Sequence, residues 1–434
     1  MTDVTIKKTE NLRGEVCASP SKSYTQRMLL AAALSNGISK VSNPLISEDT
    51  IATLRAITAL GAQVSTAEEC WTVTGANPLT NAKVPVDCGE SGATLRFMIP
   101  VAALAPDPSI LVFNGSLARR PIEPLLHSLE GLGAKAQTRK FGGKDAVFVV
   151  GGGILGGETS IAGDISSQFI SGLMFACPMA KVETEINLTT PLESSDYVKM
   201  TLDVLSKHEI RVEIHDNFKR IKIPANQSYK PCDCKVPGDF SSASFLLAAA
   251  AITNSKVQLN NLEYKSMQGD KVILGILKQM GIDGKVCNDS VEISGIGSPL
   301  KPLEVDAKNI PDLVPVCAAL ACFAEGTSKI TGAQRLKLKE SDRLKSLYLE
   351  LGKMGAKIKV NESGLIIEGP CALHGAVIDP HNDHRIAMAC SVAAIGAKGK
   401  TTIRNAECVR KSYPKFFTHL KQIGVEIVGG QFDR

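Results

Sequence analysis

SKSYTQRMLLAAAL from Ser21, SGATLRFMIPVAAL from Ser91, SSQFISGLMFACPM from Ser166, SSASFLLAAAAI from Ser241, PDLVPVCAALACFA from Pro311 and NDHRIAMACSVAAI from Asn382 decide the fold of this chain. Each stretch opens polar and turns almost wholly apolar, and together they recur at about seventy residues, which marks a repeat filling all 434 residues. Helices so uniformly apolar belong inside the molecule rather than on its surface. A second signature runs beside the first: an amphipathic stretch closed by Gly61, Gly133, His208, Gly281, Gly355 and Gly424, with His208 read as a stand-in for glycine. Six similar units follow.

Within each unit the order is constant. The apolar helix comes first and an alternating strand follows, as in GISKVSN, SILVFNG, VETEINL, SKVQLNN, TSKITGA and KTTIRNA. Next comes an amphipathic helix; Leu344, Leu347, Leu351 and Met354 fall at i, i+3, i+7 and i+10 and share one face. A terminal glycine supplies the left-handed cap, and a strand pair such as AKIKV and GLIIEG completes the unit. The expected class is α/β, with internal and surface helices.

Six units divide into two groups of three, and the length fits more than one domain. The Cys- and Pro-containing stretch Pro231 to Pro237, just before Gly238, is the expected central boundary. The first apolar helix starts abruptly after Pro20, so residues 1 to about 17 read as an orphan strand able to pair with either half.

With 44% apolar and 21% charged residues, the composition is that of a soluble globular protein. A net charge of +5 is too mild to argue for nucleic acid without a local basic stripe. MTDVTIKKTENLRGEV has no apolar core of signal-peptide type, and no apolar run reaches the length of a membrane span, so a cytosolic protein is expected. Several of the twelve cysteines, Cys177, Cys317, Cys322 and Cys390 among them, lie in apolar helix runs and read as buried reduced thiols. Cys232 and Cys234 are the close pair, but no second pair or His cluster accompanies them, and no metal site is expected.

Chemistry is best sought at the polar openings. A helix start offers free N–H groups and the positive end of a dipole, and here cations are added to it: Lys22 and Arg27, Arg96, Arg120, Lys339 and Arg343, Arg385, Lys411. Any one of these could be an ordinary surface charge, and the neighbouring Ser and Asp ordinary caps. Helix starts prefer acids, however, so cations at start after start point to a small ligand with several anionic groups. Three carboxylate positions lie among the cations: Asp312, Glu340 and the Asn382-Asp383-His384-Arg385 cluster. Neighbouring cations favour the charged form of a carboxylate, as proton abstraction requires.

SPSKSYTQR (Ser19 to Arg27), GESGATLR (Gly89 to Arg96), RRPIEPL (Arg119 to Leu125), DISSQFISGL (Asp164 to Leu173), VPGDFSSASF (Val236 to Phe245), IPDLVP (Ile310 to Pro315), LKLKESDR (Leu336 to Arg343), NDHRIAMA (Asn382 to Ala389) and RKSYPKF (Arg410 to Phe416) together resemble the 5-enolpyruvylshikimate-3-phosphate synthase family. The resemblance implies a two-domain inside-out α/β barrel of six βαβαββ-type repeats, three per domain, open without ligand and closed around it. It implies domains of residues 18–237 and of 1–17 with 238–434, the chain crossing between them twice. The implied reaction moves the enolpyruvyl group of phosphoenolpyruvate to the 5-hydroxyl of shikimate 3-phosphate and releases phosphate. It runs through a noncovalent tetrahedral intermediate, with no cofactor and no metal. The implied partners are the two small-molecule substrates alone, with no nucleic acid, no membrane and a monomeric chain.

Carried over residue by residue, the resemblance gives Lys22, Ser23, Arg27, Ser166, Ser167, Gln168, Ser194, Tyr197, Asp312, Arg335 and Lys339 to shikimate 3-phosphate, with Ser166 and Ser167 at its phosphate. It gives Lys22, Gly92, Arg120, Gln168, Arg343, Arg385 and Lys411 to phosphoenolpyruvate. Asp312 is implied as base for the 5-hydroxyl, Glu340 as proton donor to the methylene carbon, and Lys22 as the cation steadying the phosphate. Glu90, Ala93, Phe97 and Arg335 depart from the residues usual in the family, and the loss of a threonine hydroxyl at Ala93 is expected to loosen a helix start.

Two alternatives differ in class. UDP-N-acetylglucosamine enolpyruvyl transferases share the fold but carry a reactive Cys before their Arg-Pro, whereas NGSLARRP, Asn114 to Pro121, contains none. A non-catalytic anion-binding repeat would not need Asp312 and Glu340 beside Lys22 and Lys411.

Overall fold

A computed structural model describes residues 2–67, 69–295 and 300–430. It has two compact units, one of Lys22–Val236 and one of Met1–Ser21 with Pro237–Arg434, so the chain passes from one to the other twice. Among the described residues six helices lie in the first unit: α1 (Lys22–Ala33), α2 (Glu48–Ala59), α3 (Gly92–Ala102), α4 (Glu123–Gly131), α5 (Ser167–Ala176) and α6 (Ser195–Lys207). Six more lie in the second: α7 (Phe240–Ala251), α8 (Ile273–Gln279), α9 (Val314–Ala321), α10 (Arg343–Lys353), α11 (His384–Gly396) and α12 (Phe416–Gln422). The odd-numbered helices carry the first sequence signature. Every residue of α3, α7 and α9 is buried. With no polar face to show to water, such a helix is stable only when surrounded by other elements.

The even-numbered helices are amphipathic and bury one stripe each. In α10 the side chains of Leu344, Leu347 and Leu351, with Met354 just beyond the end, are fully buried as the spacing requires. The left-handed cap is present at Gly61 (φ 107°), Gly133 (81°), Gly281 (93°), Gly355 (95°) and Gly424 (99°). In the third repeat the stand-in is not His208. Its φ is −95°, and Glu209, at φ 59°, takes the left-handed position instead. His208 is buried, its Nδ1 2.7 Å from the carbonyl oxygen of Lys230, so it serves packing rather than the turn.

Among the described residues the strands form six separate four-stranded sheets of one topology. In the second repeat Val86–Asp87 runs parallel to Ser109–Phe113, which pairs antiparallel with Lys144–Val149, which in turn pairs antiparallel with Ala136–Phe141. No hydrogen-bonded ladder joins one sheet to another among the described residues, so helices fill the interior and no continuous barrel of strands closes. The fold is α/β, with the helices innermost.

Residues 1 to 17 are not one orphan strand but two. Val4–Lys7 enters the sixth sheet between Lys400–Ile403 and Ile427–Gly429. Arg13–Cys17 precedes α1 in sequence yet pairs with Lys256–Asn260 of the fourth repeat, while Cys234–Lys235, which precedes α7, pairs with Ile38–Ser42 of the first. The first strands of repeats one and four are thus exchanged. Where the chain crosses, its two passes run side by side, Ser21 N donating to Pro237 O and Asp239 N to Ser19 O, each at 2.8 Å. The Pro231 to Pro237 stretch therefore carries an edge strand rather than only a linker.

All twelve cysteines are free thiols, and Cys177, Cys317, Cys322 and Cys390 are buried. Burial pushes the Cys177 and Cys317 thiols up to about 12, which keeps them protonated and inert. Among the described residues no helix is long and apolar enough to cross a membrane.

Candidate active site

In the unit Lys22–Val236 the starts of α1, α3 and α5 hold the expected polar groups. Lys22 Nζ lies 2.8 Å from Asp49 Oδ2 at the start of α2. Gln26 Nε2 donates to Thr53 Oγ1, Ser91 Oγ and Thr94 Oγ1 at 3.0, 3.1 and 3.2 Å, tying three helix starts together. Arg27 is buried. Its Nε reaches Thr201 Oγ1 at 2.9 Å, its Nη1 the carbonyl of Ser23 at 2.9 Å and its Nη2 the carbonyl of Tyr197 at 3.1 Å. The guanidinium also lies 5.1 Å from the Phe97 ring centre, and burial pulls its pKa down to about 10, still charged at neutral pH.

Ser166 caps α5, its Oγ accepting from Gln168 N at 3.3 Å. Gln168 Oε1 in turn accepts from Arg96 Nη1 at 2.7 Å, and Arg96 lies 5.2 Å from the Phe169 ring centre. A Cβ added at Gly92 would stand 3.2 Å from Arg120 Nη1 and 3.5 Å from both Arg96 Nη1 and Gln168 Oε1. Gly92, Arg120, Gln168 and Arg96 therefore form one cluster in which a methyl group at position 92 would push the guanidinium of Arg120 by a few tenths of an ångström. Ser194, in the left-handed region at φ 56° and buried, begins α6, and its carbonyl accepts from Tyr197 N at 3.1 Å.

The expected defect at Ala93 does not arise. Ser91, not residue 93, caps α3: its Oγ accepts from Thr94 N at 3.3 Å and from Thr94 Oγ1 at 2.8 Å. Phe97 packs inward, 5.6 Å from Phe175 and against Arg27, so it shapes the support of a site residue.

Three 3-10 turns carry cations by one rule: Gly115–Arg119, Gln334–Leu338 and Ala406–Lys411. Each starts from a cap residue (Asn114, Ala333, Asn405), buries the side chain three positions on (Leu117, Leu336, Cys408) and places a cation six positions on (Arg120, Lys339, Lys411). The buried anchor fixes the turn, and the turn fixes where the cation stands. Arg120 Nη2 donates to Ser116 Oγ at 3.2 Å, Lys411 Nζ to the carbonyl of Asn382 at 2.9 Å, and Arg335 Nη2 to the carbonyl of Lys308 at 2.7 Å.

In the other unit Arg343, the first residue of α10, is the hub. Its Nη1 lies 3.0 Å from Asp312 Oδ1, its Nη2 2.5 Å from Glu340 Oε2 and its Nε 2.8 Å from Asp383 Oδ2. Burial alone would lower the pKa of this guanidinium, but Asp383, Glu340 and Asp312 outweigh it and hold the charge fixed. Arg385 Nη2 grips Asp312 from the second side, 3.1 Å from Oδ2, while its Nη1 donates to the Asp312 carbonyl at 3.1 Å. Asp383 caps α11 through Arg385 N at 2.9 Å and also accepts from Ser341 Oγ at 3.1 Å. Burial opposes ionisation of Asp312, yet Arg385, Lys339 and Arg343 together keep its carboxyl well below the usual range. The pKa of Lys339 is lowered too, which here disfavours the charged form. Burial draws it down to about 8, against the pull of Asp312.

Each unit thus gathers its share of the expected residues. Lys22, Ser23, Arg27, Gly92, Arg120, Ser166, Ser167, Gln168, Ser194 and Tyr197 lie in the first, and Asp312, Arg335, Lys339, Glu340, Arg343, Arg385 and Lys411 in the second. Asp49 and Gln26 were not singled out from sequence, and Arg96 and Asp383, singled out there as a helix-start cation and a helix-start carboxylate, were given no substrate; Asp49, Arg96 and Asp383 hold assigned residues, whereas Gln26 ties the helix starts together. Their signal is positional, since each stands at or near a helix start; α1, α3 and α11 also present site residues, whereas α2, which carries Asp49, presents none. Among the described residues no group of three or more His, Cys, Asp or Glu side chains is placed to hold a metal ion.

The architecture is that of the enolpyruvyl transferases. The enolpyruvyl transferase NikO of Streptomyces tendae has a TM-score of 0.79 over 99% of both chains, at 20% identity that speaks to the fold alone. An EPSP synthase from Acinetobacter baumannii superposes with a TM-score of 0.83 at 27% identity, covering 99% of this chain and 100% of that one. The family model for EPSP synthase (3-phosphoshikimate 1-carboxyvinyltransferase) matches residues 6–420, and the chain belongs to that family. It is 43% identical over 425 residues to the 3-phosphoshikimate 1-carboxyvinyltransferase of Methanocaldococcus jannaschii, covering 97% of this chain and 98% of the relative. The corresponding protein of Methanococcus vannielii is 40% identical over 428 residues, with 97% and 99% covered.

Proposed function

We propose that this chain, an enolpyruvyl transferase of the shikimate pathway, carries out the family's transfer from phosphoenolpyruvate to shikimate 3-phosphate with Asp312 as base and Glu340 as acid. One observation carries the assignment of roles: Arg343 holds Asp312 and Glu340 at 3.0 and 2.5 Å, two carboxyl groups fixed by a single buried guanidinium. A carboxylate with one oxygen toward Arg343 and the other toward Arg385 stays ionised and oriented, ready to accept the 5-hydroxyl proton as that oxygen attacks C2 of phosphoenolpyruvate. Glu340 delivers a proton to the methylene carbon. The tetrahedral adduct then expels phosphate, which takes up the proton that Asp312 accepted, while the new methyl group returns a proton to Glu340, leaving the enol ether.

Arg343, Arg385 and Lys411 are assigned to phosphoenolpyruvate, as are Lys22, Gly92, Arg120 and Gln168. Guanidinium forks match carboxylate and phosphate oxygens in pairs, and charges already in place stabilise the adduct without reorganising. Ser23, Arg27, Ser166, Ser167, Gln168, Ser194, Tyr197, Arg335 and Lys339 are assigned to shikimate 3-phosphate, with Ser166 and Ser167 offering hydroxyls and helix-start N–H groups to its phosphate. Lys22 serves both ligands and steadies charge on the departing phosphate. The chain is read as acting alone, as a monomer in the cytoplasm.

The test is phosphate release from phosphoenolpyruvate with shikimate 3-phosphate, shikimate or a UDP-sugar as acceptor. Turnover confined to shikimate 3-phosphate is expected. Release with the UDP-sugar alone would replace this reading by that of the nucleotide-sugar transferases.

A further inference from the structure

Glu350 lies on α10 and is 1% exposed although it carries a carboxylate. The mechanism above makes no use of it. Flanked by Leu349 and Leu351, it reads in the sequence as ordinary helix surface, but its contacts are those of a clasp. Lys353 Nζ reaches both of its oxygens, at 2.8 and 2.7 Å, and supplies the countercharge that a buried carboxylate needs. Its other contacts leave the helix. Oε2 accepts from Asp379 N at 3.0 Å, and Oε1 accepts from His381 Nε2 at 3.1 Å. An ionised carboxylate only accepts, so Nε2 is the nitrogen that donates. One buried side chain therefore grips both ends of the segment Asp379-Pro380-His381.

That segment leads from the strand Val377–Ile378 into α11 and is strained. His381 at φ 53° and Asn382 at φ 55° are two successive non-glycine residues in the left-handed region, a conformation that persists only where its surroundings over-determine it. His381 N donates to Asp379 Oδ1 at 2.8 Å, which tightens the turn locally, and Glu350 ties it to α10. The consequence falls on the next carbonyl. Asn382 O accepts from Lys411 Nζ at 2.9 Å, so the direction of that carbonyl decides where the ammonium stands. Asp383, one residue further, has anchors of its own in Arg343 Nε and Ser341 Oγ. Loosening the turn therefore acts first on Lys411.

We propose that Glu350 is a positioning residue for the binding of phosphoenolpyruvate: it holds the left-handed turn at His381 and Asn382, and through the Asn382 carbonyl it fixes Lys411. This rests on the assignment of Lys411 to phosphoenolpyruvate. Arg335 and Lys339, assigned to the other substrate, are placed by a different turn, Gln334–Leu338, with its own buried anchor in Leu336. Binding of shikimate 3-phosphate is therefore expected to be indifferent to Glu350.

Steady-state kinetics of the full chain, with each substrate varied in turn, separates this role from a merely structural one. Glu350→Gln keeps one acceptor oxygen, and His381→Asn tolerates the left-handed turn but cannot reach Glu350. Each should raise KM for phosphoenolpyruvate roughly tenfold, while KM for shikimate 3-phosphate and kcat stay within about twofold of wild type. Glu350→Ala, with no acceptor left, should raise the first KM further, so that glutamine acts as a partial rescue; His381→Asn carries the test should that variant fail to fold. Made in a Lys411→Met chain, the same substitutions should add nothing, because a residue acting through Lys411 has nothing left to position. Calorimetric binding of phosphoenolpyruvate stands in for KM where turnover is lost. A fall in kcat or in folded protein with both KM values unchanged, an equal rise in both, or effects additive with Lys411→Met, overturns the positioning role. A Lys411→Met chain that keeps wild-type affinity for phosphoenolpyruvate overturns instead the assignment of Lys411 on which that role rests.

Discussion

Arg343 Nε donates to Asp383 Oδ2 at 2.8 Å, and these two side chains, 1% and 0% exposed, are the most deeply buried ion pair of their unit among the described residues. Asp383 also accepts from Ser341 Oγ and Arg385 N, so one carboxylate fixes three groups that flank Asp312 and Glu340.

Removing it leaves a buried guanidinium short of countercharge. Breaking a buried pair by deleting one partner costs about 3–5 kcal/mol. Asp383→Ala should therefore unfold at markedly lower denaturant or temperature than wild type and lose turnover as well, because Arg343 no longer holds Asp312 in register. Thermal unfolding followed by circular dichroism checks the first part. An unchanged transition would mean that solvent or Glu340 compensates Arg343, contrary to the geometry.

Asp312→Asn and Glu340→Gln keep the size of each side chain and one acceptor oxygen for Arg343, 3.0 and 2.5 Å away in the wild type, but remove a countercharge of that buried guanidinium together with the proton chemistry, so each should also lose some stability. Binding of shikimate 3-phosphate should survive in calorimetry while kcat falls by about 10²- to 10⁴-fold. A variant that turns over at nearly the wild-type rate removes its residue from the mechanism.

Much of this was legible because repetition averages out local noise. The polar-to-apolar openings place the buried helices, and the glycine closures place the left-handed caps at five of six sites. At the sixth, sequence reasoning chose His208, since the amphipathic pattern ends there. The backbone turns one residue later at Glu209, because the His208 ring is drawn inward to the Lys230 carbonyl. The exchange of Arg13–Cys17 with Cys234–Lys235 was implied by the family resemblance, which put residues 1–17 with the second domain, but the pattern of the residues themselves left it open. Pairing partners 193 and 243 residues away leave no periodicity in either strand. The site residues stood out as cations at helix starts, whereas Asp49 and Asp383, which hold some of those cations, look like routine N-terminal acids until their contacts are seen.

Gly92 offers a sharper test of the first unit. A Cβ there would stand 3.2 Å from Arg120 Nη1, closer than most side-chain contacts allow, so the guanidinium must shift by a few tenths of an ångström. One added methyl group in a shaped pocket is worth about 1–3 kcal/mol. Gly92→Ala should raise KM for phosphoenolpyruvate roughly tenfold, and should weaken glyphosate, the family inhibitor expected to compete with it, by at least as much. Ala93→Thr should leave both constants alone, because Ser91 already caps α3. Unchanged inhibition of Gly92→Ala would place the anion elsewhere.

Lys339 makes the binding of shikimate 3-phosphate depend on pH. Burial draws its ammonium down to about 8, with Arg343 and Arg335 pushing the same way and Asp312 and Glu340 opposing. Below pH 8 the free protein already carries the charge, and affinity for a dianion is at its plateau. Above it the ammonium is lost before ligand arrives, so binding must recover a proton, and affinity falls as pH rises, by up to about tenfold per unit. At pH 8.5, calorimetry in two buffers of different ionisation enthalpy should detect uptake of about three-quarters of a proton per ligand bound. Lys339→Met should bind more weakly at pH 7 and take up none. Affinity that stays level from pH 7 to 9 in the wild-type chain would show that Lys339 does not face the phosphate-bearing ligand.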